Sequence, residues 1–388
     1  MAKHCNPETT YSETTCSNRL RLKTWGCDHR LTFRFDTAFP RSQFVIIMIT
    51  RGTKFSRHCP LTWAAVFILF PAAVLLNAAG LVQSGGSTLA ASPIAPQPVT
   101  LIFDQHTETE HVRNFRTCCD LQGNTNGDIN QLGLVSLRAS GSSSFDSRGL
   151  DLILQRISAV RTQDGGKAGP ITIIDLRQES HGYINDGVPM SWMGDRDWAN
   201  KDLSDEQVLA LEARLLSGVK TAGNALISDE AAYKSGKPNP QLVAVTNLLT
   251  EKQFVEQAGV HYVRLMVTDH LRPTDTEVDL FINTARNLPK DGWVHFHCHA
   301  GRGRTTTFLV LWDILHNAGQ LTLVDITKRQ SELAGGDIEL LDVTKNLDWE
   351  RAAAQDRKNF LMQFYEYAKT KPLQPGAPAW SEWLKTHK

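Results

Sequence analysis

From about residue 97 onward, apolar positions alternate between two periods. Residues 171–176 form a β-branched apolar run that predicts a buried strand, and 242–245, 262–267 and 293–296 are strand-like as well. Between them, apolar residues recur at helical spacing over 150–160, 205–216, 251–258, 277–288, 308–315 and 351–369. Ser204 is placed to cap the second of these helices, Gly259 to end the third and Gly319 to stop the fifth. Residues 140–144, rich in Gly and Ser, read as a flexible patch. Interleaved strands and helices define an α/β class with one large domain.

The first 91 residues differ in kind. Residues 61–82 are aliphatic and aromatic apart from Thr62, Pro71, Asn77 and Gly80, with Arg51, Lys54 and Arg57 just ahead and small residues behind. That is the pattern of an export signal, with cleavage after Ala79 or Ala91, and the expected location is periplasmic or secreted. Left uncleaved, the run is long enough to anchor the protein in a membrane. Met48 makes a natural start, so residues 1–47 read as a mis-assigned gene start, or as disordered if made. The expected organisation is therefore 1–47 extension, 48–91 signal or anchor with a Gly/Ser/Ala/Pro-rich linker over 83–98, and 92–388 catalytic domain. The chain has equal numbers of acidic and basic residues, but 1–91 hold ten Lys/Arg against four Asp/Glu. The remainder carries 31 against 37, which argues against a broad nucleic-acid surface. An anionic substrate must be gripped locally. Outside the leader the cysteines are Cys118, Cys119 and Cys298, which form neither a disulfide framework nor a zinc-ligand spacing. Adjacent Cys118 and Cys119 are expected to be ordinary thiols.

The chemistry concentrates in His297-Cys298-His299-Ala300-Gly301-Arg302-Gly303-Arg304-Thr305. Strand 293–296 precedes it and helix 308–315 follows, so the loop delivers its amides and a helix N-terminus to one place, which favours an anion. Gly301 and Gly303 are expected to let the backbone turn its amides inward. Such an environment favours the thiolate of Cys298, the nucleophilic form. Arg304 presents a planar fork for two phosphoryl oxygens, and Thr305 is placed to donate to the sulfur. Loop side chains His299 and Arg302 add positive charge suited to a substrate with several phosphates. An imidazole at His299 would respond to pH between about 5 and 8. Neither a cofactor nor a metal is implied.

The loop resembles the signature of protein tyrosine phosphatases. Four further stretches make the resemblance specific to PTP-like phytases, the cysteine-dependent inositol polyphosphate phosphatases. They are Asn114-Phe115-Arg116, Leu137-Arg138-Ala139-Ser140-Gly141-Ser142, Asp175-Leu176-Arg177-Gln178-Glu179-Ser180-His181-Gly182, and Thr268-Asp269-His270 followed by Pro273. This resemblance implies a tyrosine-phosphatase-like core, a central sheet flanked by helices, with or without a small partial β-barrel addition. It implies Asp269 as general acid, with Asp275 and Asp279 as competitors for that role. It implies phosphate binding by Ala300, Gly301 and Gly303 of the loop and by His270, Arg116 and His181, with Arg177 a weaker candidate. Asp175 and Glu179 are placed to orient these cations, and Arg329-Gln330 resembles a water-positioning element. The implied function is hydrolysis of myo-inositol hexakisphosphate and lower esters through a phosphocysteine. The alternatives are a protein tyrosine or dual-specificity phosphatase, and a noncatalytic phosphate-binding module.

Overall fold

The computed structural model describes residues 100–108, 110–122, 129–163 and 169–387, and nearer the N-terminus only the backbone of three strands. The apolar run 61–82 and the linker 83–98 lie outside the described residues. The chain divides into two units, 1–90 and 91–388. In the first, Arg19–Thr24, Cys27–Arg34 and Ile47–Thr50 pair as an antiparallel meander. Two of these strands fall where disorder was expected, and the third crosses the expected boundary at residue 48. The alternation of Leu20, Leu22, Leu31 and Phe33 with polar neighbours is the period-two signal that accounts for them.

The second unit is built on a five-stranded sheet. Its order is His261–Val267, Ile171–Arg177, Trp293–His297, Ala139–Ser142 and Arg116–Thr117. The first four strands are parallel and the short last one is antiparallel. Central strands of this kind are covered on both faces and read as continuous apolar runs. Ile171–Arg177 and Trp293–His297 are buried along almost their whole length, though Asp175, Arg177, His295 and His297 interrupt the apolar pattern.

Ala139–Ser142 does not, and the flexible patch expected at 140–144 is a correction. It is a fully buried strand followed by two buried serines. Its hydroxyls are matched to the neighbouring strand: Ser140 Oγ lies 2.9 Å from His295 Nδ1, and Ser142 Oγ lies 3.1 Å from His295 Nε2. Trp293 Nε1 also donates to Ser140 Oγ at 2.8 Å. A run of small polar residues is stable in the core because each polar group finds a partner there. Gly141 is required by space, since a Cβ would come within 2.6 Å of Thr305 Cγ2.

Helix Gly303–Asn317 is buried on nearly every side, the mark of a helix through a core rather than on a surface. It ends at Asn317 with Ala318 as its right-handed C-cap, so the helix stops just before Gly319 as expected, without a positive φ there. Helix Leu323–Leu333 packs on it, and Arg329 and Gln330 both bond to Asp313 of the core helix. That pair is buried and makes a structural anchor, in place of the expected water-positioning role. Capping boxes at Ser204, Thr250, Thr274 and Thr322 set four helix starts, and Thr274 begins the fourth expected helix two residues early, at Asp275.

A four-stranded antiparallel sheet, Leu248–Leu249, His181–Ile184, Val188–Met193 and Thr100–Phe103, has its own core of Ile184, Met190, Trp192, Leu216, Ala225 and Ile227. The ribbon of Asn224–Ile227 and Gln241–Ala244 joins its edge through Phe103 and Ser228. These strands are the small β addition expected beside the central sheet.

Candidate active site

Cys298 follows the end of strand Trp293–His297, and helix Gly303–Asn317 begins five residues later. Three successive carbonyls of the connecting loop are held by side or main chains behind it. Ser144 N donates to His299 O at 3.1 Å, Asn114 Nδ2 to Ala300 O at 2.8 Å, and Arg116 Nη1 to Gly301 O at 2.8 Å. In a planar trans peptide the N–H opposes the C=O, so the amides of Ala300, Gly301 and Arg302 point the other way. None of these amides donates to another backbone carbonyl among the described residues. This is an anion nest at a helix N-terminus. Gly301 makes it possible: its φ is +73°, and a Cβ would lie 2.3 Å from Ser143 N and 2.4 Å from Ser142 C. Gly303 is different. It has no positive φ, and a Cβ there meets nothing within 4 Å, so the backbone does not require glycine at 303.

Cys298 is buried, and Thr305 Oγ1 donates to its sulfur at 3.2 Å. Arg304 is buried too, and the geometry differs from a free fork. Its Nη1 and Nη2 donate to the two carboxylate oxygens of Glu179 at 2.6 and 2.9 Å, and Nη1 also donates to Val267 O. Nε lies 3.0 Å from Asp269 Oδ1. Burial pushes the Glu179 carboxyl up, but Arg304 and Arg177 outweigh it and hold it far below the usual carboxylate range. Glu179 thus fixes the Arg304 guanidinium from behind, leaving its Nε edge toward Asp269.

Asp269 follows strand His261–Val267 and is partly exposed to the cleft. The competing acids are engaged elsewhere. Asp275 accepts from Arg272 and from Trp380 Nε1, and Asp279 accepts from Ser381 N. His270, with φ +63°, bridges Asp269 Oδ2 at 3.3 Å and Glu350 Oε1 at 2.9 Å.

Three expected binding residues do not reach the cleft as binding groups. Arg116 is buried behind the loop, bonded to Asn114 O, Gly301 O and Thr306 Oγ1, so it shapes the nest without touching its contents. His181 is buried between Asp175 and Glu251, at 3.2 and 2.9 Å, with Nδ1 on Glu179 O. Burial and the nearby Arg264 and Arg177 oppose its charge, yet Asp175 prevails and raises it to about 9. His299 borders the cleft, but its ring turns into a cage of carboxylates. Nε2 lies 2.7 Å from Asp104 and Nδ1 lies 3.4 Å from Asp197. Burial opposes the imidazolium, and Asp104 and Asp197 overcome it and raise the group to about 10. The expected titration between pH 5 and 8 is therefore corrected. Arg177 is likewise committed to Asp104 and Glu179.

Two groups bring metal-ligand atoms within 4.8 Å of one another, Asp104 with His106 and His299, and Asp175 with His181 and Glu251. In each, the protein's own donors already engage part of the group. Arg113 Nη2 donates to His106 Nε2 and Arg177 pairs with Asp104, while Tyr262 Oη donates to Asp175 Oδ2 and Arg264 lies 3.3 Å from it. Cys118 and Cys119 form no disulfide, and their sulfurs lie 3.7 Å apart.

The cleft above the nest has a volume of about 360 Å³, in the range of small-molecule sites. Asp269, His270, Cys298, Arg302 and Gly303 line it together with Lys345 and Arg357. Sequence reading missed the last two because they come from the far C-terminal segments, where nothing local marks them. Arg302 is held by Asp337 at 2.6 Å and Lys345 by Glu339 at 3.0 Å, both at the exposed rim.

Strand, nest, cysteine, arginine and facing aspartate together define the architecture of the protein tyrosine phosphatase superfamily. Within it, the family model for PTP-like phytases, described by inositol hexakisphosphate, matches residues 174–316. A PTP-like phytase from Bdellovibrio bacteriovorus is 37% identical with a TM-score of 0.60, the match covering 75% of this chain and 97% of that one. The PTP-like myo-inositol phosphatase of Mitsuokella multacida, solved with myo-inositol-(1,3,4,5)-tetrakisphosphate, is 32% identical with a TM-score of 0.66, over 76% of this chain and 48% of that one. Effector protein hopD2 of Pseudomonas syringae pv. tomato is 31% identical over 288 residues, 73% of this chain and 59% of the relative. The chain thus spans about half of the Mitsuokella protein and about three-fifths of the effector. It belongs to the PTP-like phytases.

Proposed function

We propose that this protein is a phosphomonoesterase acting on myo-inositol hexakisphosphate and lower inositol phosphates through a phosphocysteine intermediate. The observation that carries the reading is the convergence of Cys298, Thr305, Arg304 and Asp269 on one amide nest. The thiolate of Cys298 attacks phosphorus while the loop amides and the Nε edge of Arg304 hold the phosphoryl oxygens. Asp269 gives its proton to the departing inositol oxygen. A bound phosphate at Arg304 competes for the contact that Asp269 makes in the free enzyme. In the second half-reaction Asp269 takes a proton from water, the hydroxide attacks phosphorus, and the S–P bond breaks. Thr305 stabilises the thiolate as it leaves. No step is assigned to a cofactor or metal.

Support for an inositol polyphosphate comes from the cleft's cations beyond the nest, Arg302, Lys345 and Arg357, which suit phosphates that are not being transferred. The solved Mitsuokella relative carries an inositol tetrakisphosphate, which supports the same class. Initial rates on inositol hexakisphosphate and on phosphotyrosine peptides decide the matter. A higher kcat/KM on the inositol ester is expected, and a clear preference for the peptides would replace this reading with a protein phosphatase.

We also infer export, on the apolar run 61–82 with its basic approach. Fractionation of expressing cells checks it: cleaved protein outside the inner membrane supports a signal, and full-length protein in the membrane fraction an anchor.

A further inference from the structure

The loop from Gly194 to Trp198 leaves the antiparallel sheet at Met193 and reaches both the Cys298 loop and the Asp269 segment. Asp197 Oδ2 faces His299 Nδ1 of the phosphate loop at 3.4 Å. Trp198 Nε1 donates to the main-chain carbonyl of Asp269 at 2.8 Å. The guanidinium of Arg196 sits 4.3 Å from the ring centre of Trp349 and 5.4 Å from that of Trp198. The two indoles meet edge to face at 6.2 Å. Trp349 also packs against His270 at 4.9 Å, and Glu350 next to it holds the His270 ring.

Arg196 and Asp197 both have left-handed backbones, with φ of 56° and 60°, a conformation that non-glycine residues leave unless their surroundings hold them. What holds them is this set of contacts, with Tyr233 Oη fixing the loop's start through Gly194 O at 2.9 Å. Asp269 has few anchors of its own. Its carboxylate faces Arg304, which a substrate phosphate would engage, so its backbone placement depends on Trp198 and on His270. Arg196 ties those two supports together through the indoles, and a guanidinium over aromatic faces is an attractive and directional contact.

We propose that Arg196 is a positioning residue for proton transfer: clasped by Trp198 and Trp349, it sets the loop that carries Asp269. This rests on the reading of Asp269 as the proton donor. Arg196 does not line the cleft, so it acts through the loop and not on substrate. A proton-donor defect is felt where the leaving group is poor and hardly at all where it is good.

The test uses the full chain and two monophosphates, β-glycerophosphate and p-nitrophenyl phosphate, so that extra phosphate contacts play no part. Arg196→Ala should lower kcat on the alkyl ester about 10- to 100-fold, the scale of a misplaced catalytic group, and on the aryl ester less than about threefold. Arg196→Lys, which keeps a cation between the indoles, should recover most of the loss. Asp269→Asn, run in parallel, should show the same leaving-group split more strongly. Equal loss on both esters, or a rise in KM at constant kcat, overturns the clasp. So does an unchanged Arg196→Ala beside a split in Asp269→Asn. Absence of the split in Asp269→Asn overturns the acid assignment itself, and thereby separates the two failures.

Discussion

Glu179 accepts both Nη groups of Arg304, at 2.6 and 2.9 Å, from the far side of the phosphate nest. The pair is buried, and Arg177 contacts the same carboxylate, so the Arg304 guanidinium has one orientation available. Preorganisation of this kind lets electrostatic stabilisation act without reorganisation during the reaction. Glu179→Gln should keep the shape of the site but lose the bidentate ionic grip. The expected result is a 10- to 100-fold lower kcat, on the order of one misdirected charge donor. Thermal unfolding should also show a loss of about 3–5 kcal/mol, the cost of leaving buried cations without their partner. Kinetics and a melting curve on the same preparation check both.

Cys298→Ser should abolish turnover, by on the order of 10³-fold or more, while retaining substrate. The serine hydroxyl does not ionise readily, whereas the amides, Arg304 and the cleft cations are untouched. Titration calorimetry with inositol hexakisphosphate should give an affinity within a few-fold of the parent's KM. Phosphate release at the parental rate would mean that sulfur is not the nucleophile.

The two loop glycines should respond differently. Gly301→Ala drives a methyl into the backbone of Ser142 and Ser143 and strains a left-handed φ. Overpacking costs about 1–3 kcal/mol, with about 1–2 kcal/mol more from the backbone. Gly303→Ala meets no protein atom and should melt at the parental temperature. Parallel melting curves separate the two glycines directly.

His299 carries a pH signature. Its folded value of about 10 lies above the ordinary 6.5, so the stability from its pairing with Asp104 is fully present below about 6.5 and is lost as pH rises through 10. Between pH 5 and 8 it stays charged and contributes no limb to the rate profile. Unfolding followed from pH 7 to 10.5 should show falling stability in the parent and a lower, flatter curve in His299→Gln. A rate limb between pH 5 and 8 that vanishes in His299→Gln would contradict the caged imidazolium.

At the rim, Arg302 and Asp337 make opposite predictions. Arg302→Ala should raise KM for inositol hexakisphosphate roughly fivefold, about 1 kcal/mol for one exposed charged contact, with little effect on p-nitrophenyl phosphate. Asp337→Asn releases Arg302 from its partner and should lower the same KM. Added salt should shrink both effects, since the pair is open to solvent.

The sequence by itself determined the α/β class and the strand–loop–helix around Cys298, and it singled out the residues proposed as nucleophile and arginine, while the resemblance implied the acid. The fold class and the loop rest on local features: an apolar run, glycines at fixed offsets, a capping residue. Only the tertiary structure decided what the charged residues behind the site do. Arg116, His181 and His299 have the composition of phosphate ligands, and sequence does not say which way a side chain faces. Packing turned all three inward, where Gly301 O, Asp175 and Asp104 receive them. Residues 140–144 were misread for the same reason, because small polar residues signal a loop until a neighbouring strand offers His295 and Trp293 as partners. Lys345 and Arg357 join the cleft, and Arg196 meets Trp349, across more than 40 and 150 positions of chain respectively. Contacts made at such separations leave no local period to read, because they come into being only when the sheet and its helices have closed.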